Sequence, residues 1–329
     1  MSALQQHVRR TIRRHGLIPP GSRVVIGLSG GSDSVGLTFL LRDLSEHGGF
    51  SVAGLAHLNH GLRPTAARDE QFCRELAARL TLPVLVEAGD VLAAAARDAV
   101  SVEDAARRIR YAFLARAMAV LAADCIAVGH TQDDQAETFL MKLIRGAGLT
   151  GLGGVYPRRG AVIRPLLDVS RAELRADLNG RGETWVEDET NEDLGNPRNR
   201  IRHRVLPELD AALGGGTRPN IARAAALARE DGEWLDALAD EQFAQLAQDR
   251  DGGVTLDAGG VVALARPVAR RVILRALRRI ADGREVGQEH VEAVLAMAAG
   301  HSGGIDVPGG RVEPSGGKLV LLEQKAYLR

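Results

Sequence analysis

The densest chemistry in the chain lies in SGGSDS, residues 29–34, between the short apolar run RVVIGL (23–28) and a helical pattern that continues to about Glu46. Gly30 and Gly31 lack Cβ atoms, so the backbone there can approach an anion closely and turn several N–H groups toward it. The helix that follows aims its positive end at the same point. Ser29, Ser32 and Ser34 add hydroxyl donors, while Asp33 would repel phosphate unless a divalent cation stood between them. That combination points to Mg2+ with Asp33 as its ligand. No Gly-Lys-Ser/Thr follows, so the loop is not a Walker A motif, and it lacks the GxGxxG spacing of dinucleotide folds. A bare strand-to-helix turn accounts for one glycine and one serine, less readily for the whole set.

A second group is Asp133, Asp134 and Glu137, just past the run DCIAVGH (124–130). Asp133 and Glu137 share a helix face at i, i+4 and repel by roughly 0.2–0.5 kcal/mol. The helix N-terminus offsets the charge of Asp133 and Asp134 more than that of Glu137. The cluster suits a cation, either Mg2+ or an ammonium, or else Asp133 simply caps the helix. His57, Asn59 and His60 follow another strand, where doubly wound sheets place ligands. They read as a nucleotide or substrate edge or as a polar loop, but not as zinc ligands, since no third and fourth ligand follow at suitable spacing. Arg107, Arg108 and Arg110 lie on a long helix, either solvated or touching phosphate or RNA. Arg198, Arg200, Arg202 and Arg204 concentrate positive charge within a few residues, which raises local phosphate affinity. Residues 265–281 hold six arginines and no acid. With Val268, Val272, Ala276, Leu277 and Ile280 buried, Arg271, Arg275 and Arg278 are expected on an exposed face suited to RNA backbone.

Strands are expected at 23–28, 51–58, 82–88 and 124–130, alternating with helices over 66–80 and 102–122 and from about Asp133. This is an α/β, doubly wound parallel sheet covered on both faces. Residues 2–15 form an amphipathic helix with Leu4, Val8 and Ile12 inward and Arg9, Arg10, Arg13 and Arg14 turned away. Gly214 to Thr217 mark the best linker, dividing a domain of residues 1–210 from a smaller, mainly helical one of 217–329. The latter reads as helical to about residue 299, followed by short β signals.

The chain has 329 residues, is 45% hydrophobic and 26% charged, and carries 42 basic against 42 acidic side chains. Disorder, collagen and low-complexity scaffolds are excluded, and zero net charge predicts no global attraction to polyanions. The cations are almost all arginine, with Lys142, Lys318 and Lys325 the only lysines, and arginine suits forked phosphate recognition. Cys73 and Cys125 are too few for a disulfide framework or a four-thiolate metal site. No apolar run approaches the roughly 18 residues of a membrane span, and the N-terminus lacks the apolar core of a secretory signal. A cytoplasmic protein without membrane attachment is expected. Oligomeric state is left open, a homodimer included.

The SGGSDS loop resembles the pyrophosphate loop of the N-type ATP pyrophosphatases. Further blocks resemble the tRNA(Ile)-lysidine synthetases in that family's order over most of residues 23–207. They are HLNHGLR (57–63), ARRIRY (106–111), GHTQDDQAET (129–138) with RGAGLTGL (145–152), and RPLL (164–167) with WVEDETN (185–191) and RNRIR (198–202). Thr190 stands where the family pattern carries serine. The resemblance implies an adenine nucleotide alpha hydrolase-like fold and ATP cleavage between the α and β phosphates. Its substrates would be free L-lysine and a tRNA(Ile) with a CAU anticodon, whose wobble cytidine is adenylated at its C2 oxygen before lysine displaces AMP. It implies ATP contacts at Ser29, Gly30, Gly31, Ser32, Asp33, Ser34, His57, Asn59, His60, Arg107, Gly129 and His130. Catalytic roles fall to Asp33, Asp133, Asp134, Glu137, Arg198 and Arg202, and RNA contacts to Arg145 and Asn199. The alternatives are another tRNA-modifying ATPase, such as a thiolase, and a non-catalytic RNA-binding module.

Overall fold

Strand β1 (Arg23–Gly27) is fully buried through Val24, Val25 and Ile26, as an uninterrupted apolar run in a parallel sheet requires. It pairs with β2 (Ser51–Asn59) on one side and β4 (Cys125–Ala127) on the other. With β3 (Val84–Ala88), β5 (Arg158–Arg159) and β6 (Val162–Ile163) the sheet order is β3-β2-β1-β4-β6-β5. Every pairing is parallel except the β5–β6 hairpin. The computed structural model describes residues 1–59, 61, 66–187, 192–301 and 303–324.

Both faces are covered, and the alternation of β1 shows how. Val24 and Ile26 pack with α1 (Ala3–Arg14), α2 (Ser32–Gly48), α3 (Ala66–Leu80) and, through Leu174 and Leu178, α8 (Arg171–Gly180). Val25 packs on the opposite face against Phe113, Leu114 and Ala117 of α5 (Val102–Val120), beside α4 (Val91–Asp98). The expected helices over 66–80 and 102–122 are thus α3 and α5. The chain passes from β1 outward to β2 and β3, then returns to β4 on the far side of β1. The strand order reverses there, so a crevice opens beyond the carboxyl ends of β1 and β4, the switch point where such sheets bind ligands. α6 (Gln132–Ile144) starts at this crevice and is followed by α7 (Leu149–Leu152).

After α8 come α9 (Pro197–Arg200), a π-helical turn over Ile201–Val205, and α10 (Leu206–Leu213). Pro207, in the first turn of α10, has no N–H to donate, so one i→i−4 bond is missing where the helix widens. Gly214, Gly215 and Gly216, with φ of +82°, +86° and +76°, turn the chain into α11 (Thr217–Leu246). The chain divides into two compact units, Met1–Leu227 and Ala228–Arg329, so the division falls within α11. The second unit has an antiparallel sheet, β7-β8-β11-β10-β9, formed by β7 (Ala247–Arg250), β8 (Gly253–Asp257), β9 (Ile305–Val307), β10 (Gly310–Ser315) and β11 (Lys318–Glu323). It packs with α12 (Ala258–Ala263), α13 (Arg266–Ile280) and α14 (Gln288–Ala298) around Leu256, Val272, Leu277 and Leu321. The late β signals are β9 to β11. The hairpin β7–β8 corrects the helical reading of residues 247–257, because β8 completes its ladder only against the distant β11. Among the described residues no helix is long and apolar enough to cross a membrane.

Candidate active site at the switch point

Beyond β1 the backbone turns at Gly30, whose φ of +91° lies in the region that favours glycine. Gly31 then stands at the N-cap of α2 with no side chain to cap it, so the first-turn amides are left for another acceptor. Ser34 braces the loop from inside, its Oγ accepting from Ser29 N at 3.1 Å and donating to Gly31 O at 3.0 Å. Val186 N donates to Gly30 O at 2.9 Å, fixing the 185–186 segment beside the loop. The loop after β4 comes equally close, since a Cβ on Gly129 would stand 2.9 Å from the carbonyl carbon and oxygen of Asp33. Only glycine allows the two loops this approach.

Asp33, Asp133, Asp134 and Glu137 are brought together, and arginines surround them. Glu137, fully buried, accepts from Arg198 Nε at 2.7 Å and from Arg202 Nε and Nη2 at 2.6 and 3.1 Å. Arg198 Nη2 also donates to Asp134 Oδ1 at 3.1 Å. Asp134 closes a capping box with Thr131, so these two cap α6 and Asp133 does not. Asp133 instead accepts from the backbone N of Arg171 at 2.8 Å and pairs with Arg218 at 3.2 Å. The Arg171 guanidinium bridges the two loops: it lies 3.0 Å from Asp33 and 3.6 Å from Asp134. Arg175 reaches Ser32 Oγ at 3.4 Å and stacks on the Trp185 ring.

This arrangement shifts the titration of the site's carboxyls and imidazoles. Burial opposes ionisation of Asp134, but Arg198, His130 and Arg171 outweigh it and hold the carboxyl down to about 2. At Asp33 burial wins, with Asp134 adding repulsion, and the carboxyl is raised despite Arg171. His130 is lowered to about 4 by burial, against the pull of Asp134, and its Nδ1 has no partner among the described residues. His57, 4% exposed, is likewise lowered by burial. Its Nδ1 meets Leu28 O at 2.9 Å, while its Nε2 has no hydrogen-bond partner among the described residues.

The other expected site residues are more dispersed. Asn59 is engaged by Glu70 at 3.1 Å and by the Gly61 amide at 3.0 Å, and His60 lies outside the described residues. Arg107 is exposed and stacks on Tyr111, whereas Arg110 of the same run is the arginine whose charge reaches His130 and Arg198. Arg145 is exposed at the end of α6. Asn199 is buried and donates to Asp193 O at 2.9 Å, tying its own loop rather than facing outward.

On α13 the expected exposure is corrected. Arg271 pairs with Asp236 at 3.0 Å, and Arg275 pairs with Asp236 and Asp240, because these acids on α11 stand one helical turn apart facing the same stripe. Arg278 does remain exposed. Arg171, Arg175 and Arg218 were not anticipated. The signal for Arg171 is its position as the first helical residue after the Ser170 N-cap, inside the Ser170–Glu173 capping box, where a cation runs against the helix dipole and calls for acidic partners.

A family profile for the PP-loop domain matches residues 2–209. In fold the chain is similar to the U34-tRNA thiolase NcsA from Methanococcus maripaludis, with a TM-score of 0.56 and 19% identity over 69% of this chain and 78% of that one. The chain belongs to the PP-loop family of ATP-binding proteins. Among curated proteins it is 38% identical to a tRNA(Ile)-lysidine synthase of Leifsonia xyli, over 92% of this chain and 91% of that protein. It is 36% identical to that of Geobacter sulfurreducens and 38% to that of Symbiobacterium thermophilum, covering 94% and 93% of this chain. Within the PP-loop proteins it is therefore a member of the tRNA(Ile)-lysidine synthase family. The chain spans 66% of the length of each of the last two relatives, just under two thirds.

Proposed function

We propose that this chain joins the ε-amine of free L-lysine to C2 of the wobble cytidine in a CAU-anticodon tRNA(Ile), using ATP and forming lysidine. The observation that carries this reading is the convergence, at one switch point, of an uncapped glycine–serine loop with carboxylates held by arginines, in a chain of this family. In the first step the cytidine O2 attacks the α-phosphorus of ATP, the bond to the bridging oxygen breaks, and pyrophosphate leaves. The open amides of α2, with Ser29, Ser32 and Arg175, would hold the departing phosphates. In the second step the lysine nitrogen, after losing a proton, attacks C2. The C2–O2 bond breaks, and AMP departs carrying that oxygen.

Roles among the carboxylates follow from exposure and partners. Glu137 has no exposed surface and is taken up by two guanidiniums, so it positions Arg198 and Arg202 at the activated base. Asp133 and Asp134 keep some exposure at the rim and are suited to orient the lysine ammonium. Asp33, a single carboxylate at the edge of an amide cradle that Arg171 holds at 3.0 Å, would take a Mg2+ ion in exchange for that guanidinium, since nucleotide-bound Mg2+ commonly takes one or two carboxylates plus phosphate oxygens. When bound, the ion neutralises charge on the phosphates.

A thiolase has little to work with here. Cys73 and Cys125 are buried on different elements, and burial pushes their thiols up to about 12 and about 11. Mass spectrometry of a CAU-anticodon transcript incubated with ATP and lysine tests the proposal. A lysine adduct on the anticodon cytosine is expected, and Asp33→Ala abolishes it while tRNA affinity stays within a few-fold. ATP–pyrophosphate exchange that needs a sulfur donor, or no tRNA, overturns it.

A further inference from the structure

The protein has two arginine-rich helices, α1 and α13, and only one of them is neutralised by its surroundings. On α13, Arg266 and Arg270 pair with Glu292, Arg271 and Arg275 with Asp236 and Asp240, and Arg279 with Asp249. Arg278 alone of these six has no carboxylate partner among the described residues. The basic character read from that stretch is therefore largely consumed inside its own unit.

Helix α1 differs. It contains no acidic residue (ALQQHVRRTIRR), and Val8, Thr11 and Ile12 are buried. That leaves Arg10, Arg13 and Arg14 exposed. Arg14 pairs with Asp168, and Arg9 donates to Met1 Sδ. Arg10 and Arg13 have no carboxylate partner among the described residues. Arg158 donates to the carbonyls of Gly16 and Leu17 and so adds a guanidinium at the end of this helix, with Arg159 exposed beside it.

The surface is also concave. His7, Arg10, Thr11 and Arg14 line a hollow of about 340 Å³, and His7 borders a neighbouring cleft of about 530 Å³ that reaches Gln132, Ser170 and Arg218. Gln132 N donates to Val169 O at 2.9 Å, and the next residue, Asp133, accepts from Arg171 N. The cleft thus leads from α1 to the carboxylate–arginine network. Its carboxylates are already engaged: Asp168 with Arg14, Asp210 with Arg218, and Glu173 in the Ser170 capping box.

We infer that the exposed arginine face of α1 is a contact surface for the sugar–phosphate backbone of the RNA substrate, beside the cleft that leads to the reacting groups. The inference rests on the RNA-modifying function proposed above. Arg10 and Arg13, about one helical turn apart along the backbone and with no acidic residue on their own helix, suit a chain of phosphates better than a mixed-charge protein face, while Asp168 is taken up by Arg14 and Thr11. They also give a chain of zero net charge local affinity for a polyanion.

The test uses the full chain, an unmodified CAU-anticodon tRNA transcript and a salt series. In Arg10→Glu/Arg13→Glu, tRNA affinity is expected to fall about tenfold or more, and the slope of log affinity against log salt to decrease by about two. The KM for tRNA rises while kcat at saturating tRNA is retained. Arg10→Gln/Arg13→Gln, which removes charge without reversing it, shows the same slope change if the glutamates disturb folding. Unchanged affinity and slope in both variants, with wild type forming lysidine, overturn the inference alone and assign this face to another partner. Failure of the wild type to bind or modify the transcript removes the functional reading and this inference with it.

Discussion

Glu137→Gln is the sharpest test of the carboxylate–arginine network. The substitution keeps the size of the side chain and opens no cavity, so its effect is electrostatic. Glu137 has 0% exposure, and its partners Arg198 and Arg202 are 31% and 18% exposed. At an effective dielectric of 20, one charge pair at 4 Å is worth about 4 kcal/mol before desolvation. Removing one member of a buried pair costs about 3–5 kcal/mol. Partial access of water to the two arginines reduces that, so a loss of about 2–4 kcal/mol is expected. Urea unfolding followed by circular dichroism and by Trp185 and Trp234 fluorescence measures it, with coincidence of the probes as the check on two-state treatment. Pairing the change with Arg202→Met should recover part of the loss, since it relieves the excess positive charge. A loss below about 0.5 kcal/mol, the range of exposed ion pairs, would refute the claim that Glu137 holds the network together.

Three further outcomes are expected. Gly129→Ala places a methyl group 2.9 Å from the Asp33 backbone, so it should cost about 1–3 kcal/mol and raise the KM for ATP while tRNA binding persists; wild-type ATP kinetics would show that the two loops are not in contact. His130 is lowered to about 4 against an unfolded value near 6.5, so its contribution is complete above pH 6.5 and falls as the pH drops toward 4, by roughly 1–3 kcal/mol. His130→Gln should reduce the slope in that window to the share that His57, also lowered by burial, contributes, and leave the separate loss below about pH 4, where Asp134, held near 2, begins to be protonated in the unfolded chain; a wild-type-like profile in the variant excludes His130 as a source. Arg271→Gln/Arg275→Gln should cost only about 1 kcal/mol, as their acidic partners are substantially exposed, and leave the salt dependence of tRNA binding nearly unchanged; a slope reduced by about two would return both residues to the RNA surface.

Parts whose cause is local could be read from the residues alone. Gly30 and Gly31 announce a close-approach turn, the apolar runs at 23–28 and 124–130 read as buried strands, of which Arg23–Gly27 and Cys125–Ala127 form the ladder, and the spacing of Phe72, Leu76 and Leu80 makes a helix of 66–80. These features depend on backbone freedom and on periodicity within a few residues, so they are legible without a fold. The ordered motif blocks likewise pointed to the loops on either side of the crevice. Which charges meet depends on the folded chain. Arg171 reaches Asp33 across 138 positions, and Arg198 and Arg202 reach Glu137 across 61 and 65. An arginine is legible as a cation in sequence, but whether it faces water, phosphate or a carboxylate depends on which distant element packs beside it. The same rule separated the two basic helices: α13 meets Asp236, Asp240 and Glu292 from its neighbours, whereas Arg10 and Arg13 of α1 meet no carboxylate among the described residues. Ion pairing is non-local, and no periodicity in the chain encodes it.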